Sequence, residues 1–152
     1  MTASPIRAAT QADIPALTRI RLGVRENSFN PARVSPADVV WFVENAPIWV
    51  WEEDGDIRGF SAGDPRDGSL WALFVEPAWE GRGIGTALLA QACASLAAAG
   101  HRTVTLDTEP GTRAAAFYRR RGWVDLGLDA AGQCRFSHRL APDAQGVPPP
   151  GG

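Results

Sequence analysis

Apolar side chains recur at helical spacing in two segments of the first third of the chain. Thr10 begins the first helix, with Asp13 three positions later in an arrangement similar to a capping box. Ser35 and Pro36 begin the second, because a capping residue followed by proline is typical of a helix start. A short strand is predicted before them, at residues 6–9. The apolar stripes that predict the buried helix faces are Ile14, Leu17, Ile20 and Val24, and then Val39, Phe42, Val43 and Ala46.

The pattern then changes to β-rich segments separated by turn residues. Three strands are predicted, at residues 48–52, 57–63 and 69–75. Asp54-Gly55 and Asp67-Gly68 lie between them, and such pairs are typical of hairpin turns. Three successive strands joined by two hairpins predict an antiparallel sheet.

Helices and strands alternate in the second half of the chain. A glycine-rich turn at residues 81–85 opens a helix at residues 86–99, which Gly100 ends. Further elements are predicted as a strand at 103–107, a helix at 112–121, and an antiparallel strand pair at 123–128 and 133–140. The order β-α-α-β-β-β-α-β-α-β-β predicts a mixed α/β fold with one central strand-helix-strand unit. Residues 1–140 form one predicted domain, and the Pro/Gly-rich residues 141–152 are expected to be a disordered tail.

Composition excludes several classes of protein. All 15 basic residues are arginine, which excludes a P-loop lysine and a Schiff-base lysine. The net charge of −2 argues against a nucleic-acid partner. No apolar run is long enough to span a membrane, and the first residues do not resemble a secretory signal. Two cysteines without a CxxC motif and two histidines predict no metal site, reduced thiols and a cytoplasmic location.

The glycine-rich turn is the strongest candidate for chemistry. Gly81, Gly83 and Gly85 alternate between a strand and a helix, where backbone N–H groups and the helix dipole favour a phosphate. Arg82 adds positive charge at the rim. The spacing fits neither a P-loop nor the GxGxxG motif of dinucleotide-binding domains. A glycine cluster that only shapes a tight turn is the alternative.

The chain resembles the GCN5-related N-acetyltransferase (GNAT) family, whose pyrophosphate-binding motif is [Q/R]-x-x-G-x-[G/A]. Gly83-Ile84-Gly85 fits that motif, after the lead-in Phe74-Val75-Glu76-Pro77. Residues 114–123 resemble the family's later signature, A-x-x-[FL]-Y-x-x-x-G-[FW]. Glu80 departs from the first motif position, and Gly111 stands where an asparagine often occurs, with Thr112 as a substitute. The resemblance implies acetyl-CoA as cosubstrate, bound by Phe74, Val75, Gly81, Arg82, Gly83, Ile84, Gly85, Thr86 and Thr112.

The resemblance also implies acetyl transfer to a primary amine of a small molecule or peptide. A backbone N–H near Val75 would polarise the thioester carbonyl. Tyr118, the only tyrosine, would protonate the departing thiolate, unless it merely packs helix against sheet. Glu76 is the nominated base, and a water chain is the alternative. One of the arginines at 119–121 could reach a phosphate. The resemblance places acceptor contacts in residues 21–33, at Arg21, Arg25, Glu26, Asn27, Phe29 and Arg33, with a solvated helix face as the alternative.

Two other functions stay open at this point. One is a non-catalytic acyl-CoA-binding sensor of the same fold, and the other is a nucleotide-binding domain that only mimics the phosphate cradle. Dimers are common among relatives, so a homodimer is a further expectation of the resemblance.

Overall fold

The computed structural model describes residues 5–23, 36–108 and 110–140. Within them, seven strands form one sheet in the order β1-β2-β3-β4-β5-β7-β6. The strands are β1 (Ile6–Ala8), β2 (Trp49–Glu53), β3 (Asp56–Asp64), β4 (Ser69–Val75), β5 (Thr103–Thr108), β6 (Val124–Leu128) and β7 (Cys134–Arg139). The helices are α1 (Ile14–Gly23), α2 (Pro36–Asn45), α3 (Ile84–Ala98) and α4 (Arg113–Arg120), with short 3₁₀ turns at Gln11–Asp13 and Pro77–Trp79. The predicted mixed α/β order is confirmed.

The capping interaction that the sequence predicts for the first helix lies at the 3₁₀ turn Gln11–Asp13, which leads into α1 at Ile14. The backbone N–H of Thr10 donates to the Asp13 carboxylate at 2.8 Å. Pro36 is the first residue of α2, as predicted. Val24, Ser35 and the tail at 141–152 lie outside the described residues, as does most of the segment predicted to contact the acceptor.

The helices cover opposite faces of the sheet, as alternation along β3 shows. Phe60 packs in a buried cluster with residues of α1 and α2. Ser61 points the other way and donates from its hydroxyl to the carbonyl of Leu88 in α3, at 2.8 Å. A Cβ at Gly63 would lie 2.5 Å from the side chain of Leu96, so glycine there lets α3 approach the sheet closely. A second cluster lies between the sheet and α3 and α4.

Strands β4 and β5 pair near the start of β4, and the end of β4 has no pairing with β5 in the described residues. In the described residues their parallel pairing is limited to Ser69 with Thr105, although β4 continues to Val75. On the other side of β4, the N–H of Glu76 donates to the carbonyl of Arg58 in β3, at 2.8 Å. Successive residues of a strand direct their N–H groups to alternate neighbours, so the N–H of Val75 points into the gap beside β5. None of the helices in the described ranges is long and apolar enough to cross a membrane.

Candidate active site

The turn between β4 and α3 is shaped by glycines with left-handed backbone conformations. Gly81 has φ 81° and Gly83 has φ 85°, a region that side chains disfavour. The first intrahelical hydrogen bond of α3 runs from the N–H of Ala87 to the carbonyl of Gly83, at 3.1 Å. The N–H groups of residues 84–86 therefore have no partner within the helix and are available to an anion.

A cavity of about 780 Å³ lies between this turn and α4. The cavity is lined by most of the residues that the sequence assigns to the site. These are Phe74, Val75, Gly81, Gly83, Ile84, Gly85, Thr86 and Tyr118. The structure thus brings together the two motifs, which lie about thirty-five residues apart in the chain. The end of β4 forms a further wall of the same cavity.

Tyr118 is held by aromatic neighbours and is 1% exposed. Its ring lies 5.2 Å from that of Trp123 and 5.9 Å from that of Phe136. Burial raises the pKa of its hydroxyl above the ordinary value, and Cys93 nearby raises it further. The phenol is therefore neutral over the physiological pH range.

Three of the predicted site residues are not part of the cavity lining. The Glu76 carboxylate pairs with Arg19 at 3.0 Å and with Arg58 at 3.3 Å. The guanidinium of Arg82 lies 4.5 Å from the centre of the Trp79 ring, whose side chain does line the cavity. The Thr112 hydroxyl caps α4 by accepting from the N–H of residue 115 at 3.2 Å.

The three consecutive arginines at the end of α4, residues 119–121, make different contacts. Arg119 pairs with Asp125 at 3.0 Å, away from the cavity. Arg120 and Arg121 line the cavity. Arg121 also stacks on the ring of Phe117 at 4.4 Å and donates to the hydroxyl of Thr86. The end of α4 is therefore tied to the first turn of α3.

Sequence reasoning missed several lining residues, of which Arg113 is the most informative. Arg113 begins α4 and forms an ion pair with Glu80, which precedes the glycine turn. Both side chains line the cavity. Glu80 differs from the Gln or Arg of the family motif, and this difference could have indicated a partner such as Arg113. A carboxylate beside an anion site requires a cationic neighbour. No group of three His, Cys, Asp or Glu side chains among the described residues could hold a metal ion.

Comparison with known proteins supports the fold. The model of the acetyltransferase (GNAT) domain matches residues 44–125, which span β2 to the start of β6. No curated protein matches the sequence.

Solved structures share the fold over nearly the whole chain. One is yncA from Salmonella typhimurium, solved with its cofactor acetyl-CoA (20% identity, 92% of this chain and 95% of that chain covered, TM-score 0.71). Another is the ribosomal-protein-alanine N-acetyltransferase from Brucella melitensis (25% identity, 89% and 99% covered, TM-score 0.67). N-acetylglutamate synthase from Neisseria gonorrhoeae, solved with coenzyme A and N-acetyl-glutamate, matches over 93% of this chain and 36% of its own length (17% identity, TM-score 0.74).

Proposed function

The chain belongs to the GNAT acetyltransferase family, and we propose that it transfers an acetyl group from acetyl-CoA to a primary amine of a small molecule or peptide. One observation carries the proposal. A single cavity is lined by the glycine turn before α3, the first turn of α3, the end of β4 and Tyr118. These are the groups needed to bind a phosphate-bearing thioester and to assist its cleavage.

The proposed cofactor fits the residues present. Phosphate oxygens would accept from the N–H groups of residues 84–86, where the helix dipole favours negative charge. Gly85 leaves space for a ligand beside the first turn of α3. A Cβ at this position would contact only Val75 Cγ2, at 3.6 Å. Leu73, Val75 and Phe117 line the same cavity and would provide apolar contacts for the pantetheine arm.

The reaction requires one bond to form and one to break. The amine nitrogen attacks the thioester carbon, the C–S bond breaks, and the sulfur leaves with the bonding electron pair. Val75 would donate its N–H to the carbonyl oxygen as negative charge develops there, a contribution typically worth about 10²–10³-fold. Tyr118 would protonate the thiolate, and general acid catalysis of this kind typically contributes about 10²–10⁴-fold.

The proton lost by the amine needs an acceptor as well. Glu76 is fixed by two arginines outside the cavity lining, so we assign this role to water at the cavity mouth, with Glu76 as the named alternative. The proposal includes a cytoplasmic location, which the two free cysteines, Cys93 and Cys134, support.

The second candidate function is a non-catalytic acyl-CoA-binding sensor, favoured by the departures at Glu80 and Gly111. A panel of amines separates the two functions, with amino acids, polyamines and peptide N-termini as acceptors and acetyl-CoA as donor. The enzyme would release CoA thiol and form acetylated amine, detected by mass spectrometry, with at least one acceptor class. A sensor would bind acetyl-CoA and release thiol at the same rate with and without every amine.

The melting temperature, measured with CoA, NAD or ATP, tests the alternative that the chain is a nucleotide-binding domain. A ligand that binds only the folded state adds about 2.7 kcal/mol of stability at a hundredfold excess over Kd. We expect CoA to raise the melting temperature and NAD and ATP to leave it unchanged. A shift with NAD or ATP and none with CoA would contradict the proposal.

A further inference from the structure

An ion pair crosses the cofactor cavity at the point where the phosphates would bind. Glu80 lies directly before the glycine turn, and Arg113 lies at the start of α4 on the facing wall. Both side chains line the cavity. Arg113 keeps 71% of its side chain exposed and Glu80 keeps 36%, so the pair is accessible to solvent.

This arrangement presents an electrostatic conflict for an anionic ligand. A carboxylate next to a pyrophosphate repels it, because like charges a few ångströms apart interact strongly near a protein surface. Arg113 partly neutralises Glu80 when the cavity holds no phosphate. An exposed ion pair of this kind contributes little to folding, so its partners can exchange at low cost.

Arginine is suited to such an exchange. Its planar guanidinium has five N–H donors and can bind a phosphate in a bidentate manner while another donor still contacts a carboxylate. Arg82, by contrast, is stacked against Trp79. Arg119 is paired with Asp125, and neither residue lines the cavity.

We propose that Arg113 binds a phosphate group of coenzyme A and that Glu80 competes with that phosphate for the guanidinium. The inference rests on the proposed function, since it specifies residues of the same cofactor site. In this chain the first position of the glycine motif is a carboxylate, Glu80. The positive charge at the anion site would therefore come from Arg113 of α4. Glu80 thereby limits the affinity for the cofactor and for the product.

The test is the dissociation constant for CoA, measured by isothermal titration calorimetry at one fixed salt concentration. The variants are Arg113→Ala, Glu80→Gln and the double variant. Arg119→Ala and Asp125→Asn are the matched controls, because they alter an arginine–carboxylate pair that joins α4 to β6 outside the cavity lining. Dephospho-CoA and pantetheine serve as ligands without the ribose phosphate and without any phosphate.

We expect Arg113→Ala to raise the Kd for CoA by about tenfold or more, the scale of a lost hydrogen bond between charged groups. Glu80→Gln should lower the Kd. The double variant should bind CoA about fivefold or more weaker than Glu80→Gln alone. The Kd for pantetheine should not change in Arg113→Ala, and neither control should alter CoA binding. An equal loss with dephospho-CoA would assign Arg113 to the pyrophosphate, and a loss confined to CoA would assign it to the ribose phosphate.

Two results would overturn the inference while leaving the proposed function intact. The double variant could bind CoA as tightly as Glu80→Gln, which would mean that Arg113 only neutralises Glu80. Arg113→Ala could weaken pantetheine as much as CoA, which would mean that it acts through the shape of the cavity. Failure of the wild-type protein to bind CoA at all would contradict the proposed function itself.

Discussion

Arg19 of α1 donates a hydrogen bond to the carboxylate of Glu76 at the end of β4, with 3.0 Å between Nη1 and Oε2. Arg58 of β3 contacts the other carboxylate oxygen at 3.3 Å. These two contacts fix the carboxylate beside the exit of β4, and its side chain is not part of the cavity lining. Glu76 therefore joins α1 and β3 to the strand that carries Val75.

The first prediction follows from that position. Glu76→Gln should leave kcat nearly unchanged, because we assign the amine proton to water, and should lower the free energy of unfolding by about 1 kcal/mol or less. Glu52→Gln is the matched control, since Glu52 pairs with Arg7 at 3.0 Å elsewhere in the sheet. A loss of about 10²-fold or more in kcat, without a loss of CoA binding, would instead make Glu76 the general base.

The glycine turn can be tested without straining the backbone. Gly83 has a left-handed conformation, so a side chain there would disturb the turn itself. Gly85 is free of that constraint, and Gly85→Val would project methyl groups into the cavity. We expect the Kd for CoA to rise by about tenfold or more, a free energy of about 1.4 kcal/mol.

The control for this variant is Ala98→Val, at the exposed end of the same helix, which carries the same β-branched penalty. Calorimetry compares the two proteins after circular dichroism has shown that both are folded. A folded Gly85→Val protein with wild-type affinity for CoA would show that the phosphates bind elsewhere.

The contribution of Asp13 to the free energy of unfolding should depend on pH. Its carboxylate accepts from Arg7 at 2.9 and 3.1 Å, and these hydrogen bonds lower its pKa from 3.8 to about 2. Because the folded pKa is the lower one, the stabilisation is present above pH 4 and is lost as the pH falls toward 2.

Asp13→Asn should therefore lower the melting temperature at pH 7 by about 2–4 °C, equivalent to about 1 kcal/mol. The difference in melting temperature between Asp13→Asn and wild type should become smaller below pH 4. Asp56→Asn is the control, since Asp56 is 65% exposed and lies 3.6 Å from Arg58. A difference that is constant from pH 7 to pH 3 would show that the carboxylate charge is not the cause.

Local patterns predicted the secondary structure well, because the decisive signals are short-range. The strand at 69–75 has the predicted bounds, since alternation and the Asp67-Gly68 turn both specify it. The helix after the glycine turn was predicted to begin at residue 86 and begins at Ile84. The left-handed Gly83 completes the turn, and its carbonyl already accepts from Ala87, so the helix starts two residues earlier.

The site was predictable only as far as its motifs extend. The glycine turn and Tyr118 could be found because each belongs to a recognisable spacing. The pairing of Glu80 with Arg113 could not, because it joins residues 33 positions apart through the packing of α4. The roles of Arg119 and Arg121 likewise depend on which side of α4 faces the cavity, and a run of identical residues carries no such signal.

Tyr118→Phe tests the central claim that this cavity catalyses acetyl transfer with the phenol as proton donor. Phenylalanine keeps the ring and its contacts with Trp123 and Phe136, and it removes only the hydroxyl. Tyr118 is the only tyrosine of the chain, so no other phenol can replace it. The Kd for CoA and the melting temperature should therefore stay close to those of wild type.

The deciding measurement is the single-turnover rate of acetyl transfer to an accepted amine by wild type and Tyr118→Phe, under conditions in which product release does not contribute. Loss of the general acid should lower this rate by about 10²–10⁴-fold, with CoA binding retained. A Tyr118→Phe protein that transfers acetyl at the wild-type rate would contradict the account, because Tyr118 would then be a packing residue and water would protonate the thiolate.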